Sequence, residues 1–326
     1  MGECSTDDAM KRMINLACAG TLTAAFIIMY FFIFEHQHLH LSLRCWKKAP
    51  TLWSCYRQDF DFTTDFFGLR YEGNMGNLLD QHIFYYGAYE KPILFFFRDL
   101  VESGGADRRI FLDIGANVGQ HSLFMSKFVK TVHAFEPYEP VLKRFRRLIE
   151  INGIKNVIIH SFGLGNEDSK KPFYRPPNIN LGIGSFVPDF SKENTPDSAL
   201  EIHKGDDVLE YSGIGPVGLI KMDIEGYEKP ALLGLQRTLR KDRPVIAFEL
   251  TVNPQSSISI KNKDDLQNLF PPQYRFVFFG AGTDADTGAY SFSPGDQIRF
   301  DTRSRYDIVA YPVEKENPLF HNGSRN

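Results

Sequence analysis

The sequence predicts an α/β domain built on a doubly wound, mostly parallel sheet, and three observations carry that prediction. From Arg109 onward, short apolar runs alternate with amphipathic stretches of helical spacing. A turn containing an acid and glycines, Asp113-Ile-Gly115-Ala-Asn117-Val-Gly119, stands where the first run gives way to a helix. An acid, Glu136, closes the next run.

Each element follows from its residues. Phe67-Gly-Leu-Arg-Tyr71 predicts a short strand, and Pro92 to Val101 an amphipathic helix that opens on proline. Ile110-Phe-Leu-Asp113 is a short apolar run ending on an acid, as expected of a strand covered on both faces. A helix is expected over 119–130 and a second strand over 131–136. Pro140 to Asn152 is a helix with Val141, Leu142, Phe145, Leu148 and Ile149 on one face, basic residues on the other, and Gly153 as its stop. Strands follow at 156–162, 217–223 and 244–250, with helices at 229–240 and 261–269. The polar stretch 166–197, rich in Pro, Asn and Gly, predicts a long loop. Arg275 to Phe279 and Asp307 to Tyr311 end the pattern as two strands without a convincing helix between them, predicting an antiparallel hairpin at or near the sheet edge.

The chain has 326 residues, 43% hydrophobic and 24% charged, which suits one well-packed domain or at most two small ones. Its net charge of −3 and lack of a long basic run argue against a nucleic-acid partner. The four cysteines, Cys4, Cys18, Cys45 and Cys55, form no CxxC pair and so no zinc pattern. Cys45 and Cys55 could pair in an oxidising compartment; four unpaired thiols is the plainer reading.

Met13 to Phe34 carries no charge. As a helix it would reach about 33 Å, enough to cross a bilayer core. It is longer than a signal-peptide core and ends in aromatic residues instead of a small-residue cleavage site. The expectation is therefore a single-pass membrane protein. Basic residues flank both ends almost equally, which leaves orientation and organelle open. The expected organisation is a tail over 1–12, the membrane helix over 13–34, a stem over 35–60, a catalytic domain over 61–315 and a polar tail over 316–326. That tail holds one glycosylation sequon at Asn322.

Glycines at a strand-to-helix turn let backbone N–H groups approach a ligand, and open α/β sheets bind ligands beyond the carboxyl ends of their strands. A nicotinamide fingerprint needs a helix N-terminus free for a pyrophosphate. Asp113 places an acid in the turn, which suits the ammonium of a bound amino acid instead. S-adenosylmethionine (SAM) carries such an ammonium beside a sulfonium. Glu136 is placed to accept from both ribose hydroxyls. A second cluster, Lys221-Met-Asp223-Ile-Glu225-Gly-Tyr-Glu228, also closes a strand and offers a general base and substrate contacts. At least one of its acids is expected to be structural, with Glu225 and Glu228 placed to favour a helix start. Asp223, Glu249 and Asn253 could in principle offer oxygen ligands, but no spacing rule supports this and no metal is expected. His121 opens a helix beside the turn and is a functional candidate; His133 and His160 lie in strands and are expected to be structural.

The stretches FLDIGANVGQHS, HAFEPYEP and IKMDIEGYEKPALLGL closely resemble the FkbM family of SAM-dependent methyltransferases, as does the upstream Gly87-Ala-Tyr89-Glu90. The resemblance spans roughly Gly68 to Tyr311. It implies a class I methyltransferase, Rossmann-like fold and, usually, methylation of a hydroxyl. On this resemblance Asp113, Gly115, Asn117 and Gly119 hold the methionine part of SAM, and Glu136 its ribose. Phe162, with Ser161 and Gly163, lies by the adenine, and Tyr89 and Glu90 cap the cofactor. Lys221, Asp223, Glu225 and Glu228 face the transfer site, and Asn180 to Ser185 lie in a substrate loop. The acceptor class stays open: a small molecule, a glycan, a lipid or a protein. Two rivals are a non-catalytic binding module and a nicotinamide-dependent oxidoreductase, the latter disfavoured by Asp113.

Overall fold

The computed structural model describes residues 60–104, 110–177, 180–188, 190–252, 258–301 and 304–322. A compact unit runs from Asp61 to the end of the chain. It opens with a hairpin, β1 (Asp61–Phe66) and β2 (Leu69–Asn74). Its turn, Phe67 and Gly68, takes positive φ at both positions, which matches the twist of the flanking strands. Helices α1 (Leu78–Tyr86) and α2 (Lys91–Glu102) follow. The repeating part comprises β3 (Ile110–Ile114), α3 (Gln120–Met125), β4 (Thr131–Phe135), α4 (Glu139–Asn152) and β5 (Val157–His160). Gly153 stops α4 with φ 60.

The stretch 166–197 is only partly the loop expected, because strands occupy both of its ends. β6 (Gly163–Gly165), β7 (Ser169–Arg175) and β8 (Thr195–Lys204) form a separate three-stranded sheet, with β7 and β8 antiparallel. Their side chains are largely exposed, so no apolar run betrays the strands. After α5 (Gly205–Tyr211) come β9 (Leu219–Met222), α6 (Glu228–Gly234), α7 (Gln236–Lys241), β10 (Val245–Val252) and α8 (Lys263–Asn268). The single helix expected over 229–240 is thus two short ones. At the break, a Cβ on Gly234 would lie 1.8 Å from the carbonyl oxygen of Gly165, so the helix meets β6 backbone to backbone. The chain closes with β11 (Tyr274–Phe279), β12 (Phe292–Pro294), β13 (Ser304–Pro312) and α9 (Leu319–Asn322).

Among the described residues the main sheet has the order β12-β11-β13-β10-β9-β3-β4-β5. From β10 to β5 every pairing is parallel, and β13, β11 and β12 are antiparallel. The expected C-terminal pair exists, but β13 inserts between β10 and β11, so β13 is an interior strand. One apolar layer packs Phe97, Phe124, Phe145 and Leu148 on Phe111, Val132 and Val309. The other packs Leu232, Leu235, Leu239 and Leu266 on Leu112, Ile220 and Ile246. Neighbouring residues Phe111 and Leu112 serve opposite layers, which is why the run from Ile110 to Leu112 is apolar. The expected polar tail is partly core: Phe320 is buried and stacks on Tyr311 at 3.8 Å between ring centroids.

The apolar stretch 13–34 lies outside the described residues, as do all four cysteines; Asn322 is described only in its backbone. Among the described residues no helix is long and apolar enough to cross a membrane. α4, with 14 residues, would reach only about 21 Å. The expectation of a single-pass membrane protein is corrected accordingly: the structure gives it no support.

Candidate active site

The carboxyl ends of β3, β4 and β9 meet above the sheet. The turn after β3 is tied to β4, because Gly115 N–H and Ala116 N–H both donate to the Phe135 carbonyl at 2.9 and 3.1 Å. It is also tied to β9, where Asp223 N–H donates to the Ile114 carbonyl at 2.9 Å. Gly115 needs φ +81, and a Cβ there would sit 1.9 Å from the Asp223 carbonyl oxygen, so only glycine fits. Asn117 adopts φ 52, and its N–H donates to Glu136 Oε2 at 3.0 Å. Glu136 Oε1 accepts from Tyr138 N–H at 2.9 Å. Burial pushes the Glu136 carboxyl up to about 7.

These residues wall a cleft of about 880 Å3, counting the space open to solvent. Gly115, Asn117, Glu136, Glu90, Lys221, Asp223 and Glu225 all line it, as do His121 and Tyr89. Leu181, Gly182 and Gly184, from the expected substrate loop, line it too.

Three of the expected cofactor residues stand back from the cleft lining. Asp113 lies just behind the wall, 1% exposed, with Oδ2 accepting from Ser122 Oγ at 2.6 Å. Gly119 also stands back: a Cβ would meet the Phe145 ring at 2.0 Å, so its glycine serves the packing of α3 on α4. Phe162 turns away from the cleft, because its ring packs edge-on against His203 and tilted against Phe135. Its neighbours Gly163 and Leu164 are the wall residues.

The second cluster is densely charged. Lys221 is 5% exposed and its Nζ lies 3.0 Å from Asp223 Oδ2 and 3.7 Å from Glu90 Oε2. Burial would lower its ammonium, but Asp223, Glu90 and Asp113 outweigh burial and raise it. Glu225 accepts from Arg305 Nη2 at 2.9 Å, and Arg305 Nε lies 3.0 Å from Glu249. Burial, reinforced by Asp223, pushes Glu249 up to about 11. Glu228 is structural: it accepts from Ile224 N–H and Gly226 N–H at 3.1 and 3.2 Å, fixing the turn before α6. Asp223, Glu225 and Glu249 bring one carboxylate oxygen each within 4.8 Å of one another. Arg305 already supplies positive charge to two of them, and Asn253 lies outside the described residues. His133 and His160 pair with each other at 3.1 Å in β4 and β5 and do not line the cleft.

Several wall residues had no sequence signal. Gln120 clasps Tyr89, donating to its carbonyl at 2.6 Å and accepting from its N–H at 3.0 Å. Phe173, Phe186 and Tyr227 form an aromatic flank. Behind the wall, Arg305 reaches Glu225 from β13, far along the chain.

The residues present fit SAM. Asp113 Oδ1 and Asn117 Oδ1 are buried without a hydrogen-bond partner among the described residues, which suits an ammonium close by. Glu136, Gly163 and Leu164 line the same cleft. SAM would thus be held by the Gly115 turn, Asn117 and Glu136, with Asp113 beneath.

Fold and cleft together define a Rossmann-like α/β domain with a cofactor cleft at the carboxyl ends of its parallel strands. Residues 113–278, just over half of the chain, match the methyltransferase FkbM domain. The chain belongs to the FkbM family of methyltransferases. It is similar to Methyltransferase 1 of Beauveria bassiana (strain ARSEF 2860), 26% identical over 147 residues that cover 40% of this chain and 59% of that protein. The match therefore spans less than two thirds of that relative. Among solved structures, a Streptococcus mutans protein described as a methyltransferase, in complex with SAH, is 16% identical with a TM-score of 0.38, over 68% of this chain and 98% of that one. An O-methyltransferase from Bacillus cereus, also with SAH, is 16% identical with a TM-score of 0.36, over 68% and 80%.

Proposed function

We propose that this methyltransferase moves the methyl group of SAM to a hydroxyl oxygen of a small-molecule, glycan or lipid acceptor. The observation that carries the reading is Asp223 at the cleft wall. Its Oδ2 holds Lys221, while Oδ1 is buried and has no hydrogen-bond partner among the described residues. A hydroxyl entering there finds an anionic acceptor already oriented. SAM supplies an activated methyl group, so the protein's work is mainly alignment and exclusion of water. The acceptor oxygen forms its bond to the methyl carbon, the sulfur–methyl bond breaks with its electrons returning to sulfur, and the hydroxyl proton passes to Asp223 Oδ1. Lys221 orients Asp223. Glu225, already held by Arg305, shapes the wall and is the weaker candidate base.

The test is incubation of the full chain with methyl-labelled SAM and membrane extracts, followed by identification of the labelled product. Asp223→Asn should abolish turnover while SAM affinity, measured by calorimetry, changes less than about threefold. Full turnover in that variant removes Asp223 as the base. SAM binding without any label transfer favours a binding module.

A further inference from the structure

Glu90 has a geometry that a cofactor cap does not require. It is the N-cap of α2, yet its side chain makes no capping bond to that helix. Its backbone is left-handed, φ 48 and ψ 38, a conformation that strains a non-glycine residue. That backbone turns the carboxylate into the cleft, where its side chain is 15% exposed. Oε2 has no hydrogen-bond partner among the described residues and lies 3.7 Å from Lys221 Nζ and 3.6 Å from His121 Nε2. One ammonium therefore stands between two carboxylates, those of Glu90 and Asp223.

We propose that Glu90 is a positioning residue for methyl transfer, holding the Lys221 ammonium away from the free Oδ1 of Asp223. The inference rests on the methyltransferase reading with Asp223 as proton acceptor. An ammonium has three donors, and one is used on Asp223 Oδ2. Without an anion at position 90, the Lys221 ammonium can turn to Oδ1 as well, and a doubly engaged Asp223 has no oxygen open to the acceptor hydroxyl. A charged Glu90 draws the ammonium to its other side. Arg305 does not displace Lys221 as the cation at Glu90, because Glu225 and Glu249 hold its guanidinium. His121 does not compete as a cation: burial, helped by Lys221, holds its imidazole well below the usual range.

The groups facing Glu90 are its neighbour Tyr89, Lys221 and Asp223 at the end of β9, Glu249 on β10, Asp307 and Arg305 on β13, and His121 on α3. Burial dominates over Lys221 and pushes the Glu90 carboxyl up to about 8. Glu90 thus gains its charge, and the arrangement engages, as pH rises through that value.

The test uses the full chain, labelled SAM and the extract that shows activity, with turnover followed from about pH 6 to 10. Glu90→Gln should lower turnover about 10- to 100-fold at pH 8.5–9 and lose the rise near pH 8, with SAM affinity changed less than about twofold. Glu90→Gly should lose turnover equally while melting at the same temperature or higher, because the left-handed strain is relieved. Wild-type turnover with an unchanged pH rise in Glu90→Gln overturns the proposal. So does a loss that saturating SAM restores, which would return Glu90 to the cofactor cap. A wild-type chain that binds SAM and transfers no methyl group sinks the methyltransferase reading, and the role of Glu90 with it.

Discussion

The two walls of the cleft are built differently. The cofactor wall, Gly115 to Asn117 with Glu136, comes from neighbouring strands β3 and β4 and is held mainly by backbone hydrogen bonds. The proposed transfer wall gathers Glu90 from the start of α2 with Lys221 and Asp223 at the end of β9, and behind it stand Glu249 of β10 and Arg305 of β13. It is held by charged side chains. The first wall depends on shape at single residues; the second depends on a balance of charge that no single element contains.

The largest expected effect breaks the cofactor wall. Gly115→Ala forces a Cβ against the Asp223 carbonyl and a side chain into positive φ. It should cost about 3 kcal/mol or more and abolish SAM binding, as read by denaturant melts and calorimetry. Near-native stability with retained affinity would show that the turn can relax. Next, Glu136→Gln should weaken SAM binding about 10- to 100-fold, the worth of a hydrogen-bonded charge, whereas Asp223→Asn should spare binding and stop turnover. Equal losses of affinity in both variants would erase the division between the walls.

The pH dependence of stability separates the walls further. Burial raises Glu136 from 4.5 to about 7 and Glu249 from 4.5 to about 11 in the fold. A raised carboxyl binds its proton more tightly folded than unfolded. Its stabilising contribution is complete below the unfolded value and is lost as pH rises towards the folded one. The melting temperature of the ligand-free chain should therefore gain a downward slope above about pH 4.5. Glu136→Gln should remove slope only below about pH 7, and Glu249→Gln should remove it above pH 7 as well. A slope indifferent to both substitutions would place the sensitivity elsewhere. The smallest effect is a control outside both walls: Arg147→Ala loses exposed, solvent-screened pairs with Glu72 and Glu150 and should leave the denaturation midpoint unchanged.

What could be read from the chain follows the same division. The cofactor wall was legible because its chemistry sits in consecutive residues: Asp113 to Gly119 spell a turn, and Glu136 ends the next strand. Even so, the order of residues could not tell wall from support. Gly119 faces Phe145, Asp113 faces Ser122, and Phe162 faces His203, all of which depend on which helix or strand packs behind. β7 and β8 escaped because strands exposed along most of their length carry no apolar period, and β6 because Gly-Leu-Gly is too short to show one.

The sequence by itself determined the strand-and-helix alternation, the glycine turn, the acids at strand ends and, through their combined motifs, the family. These are local matters of backbone conformation and side-chain period. Tertiary structure alone decided that β13 enters between β10 and β11, bringing Arg305 to Glu225 and Glu249, and that a strained Glu90 faces Lys221 across the cleft. Electrostatic partners are chosen by distance in space, and at these positions distance along the chain says nothing about it.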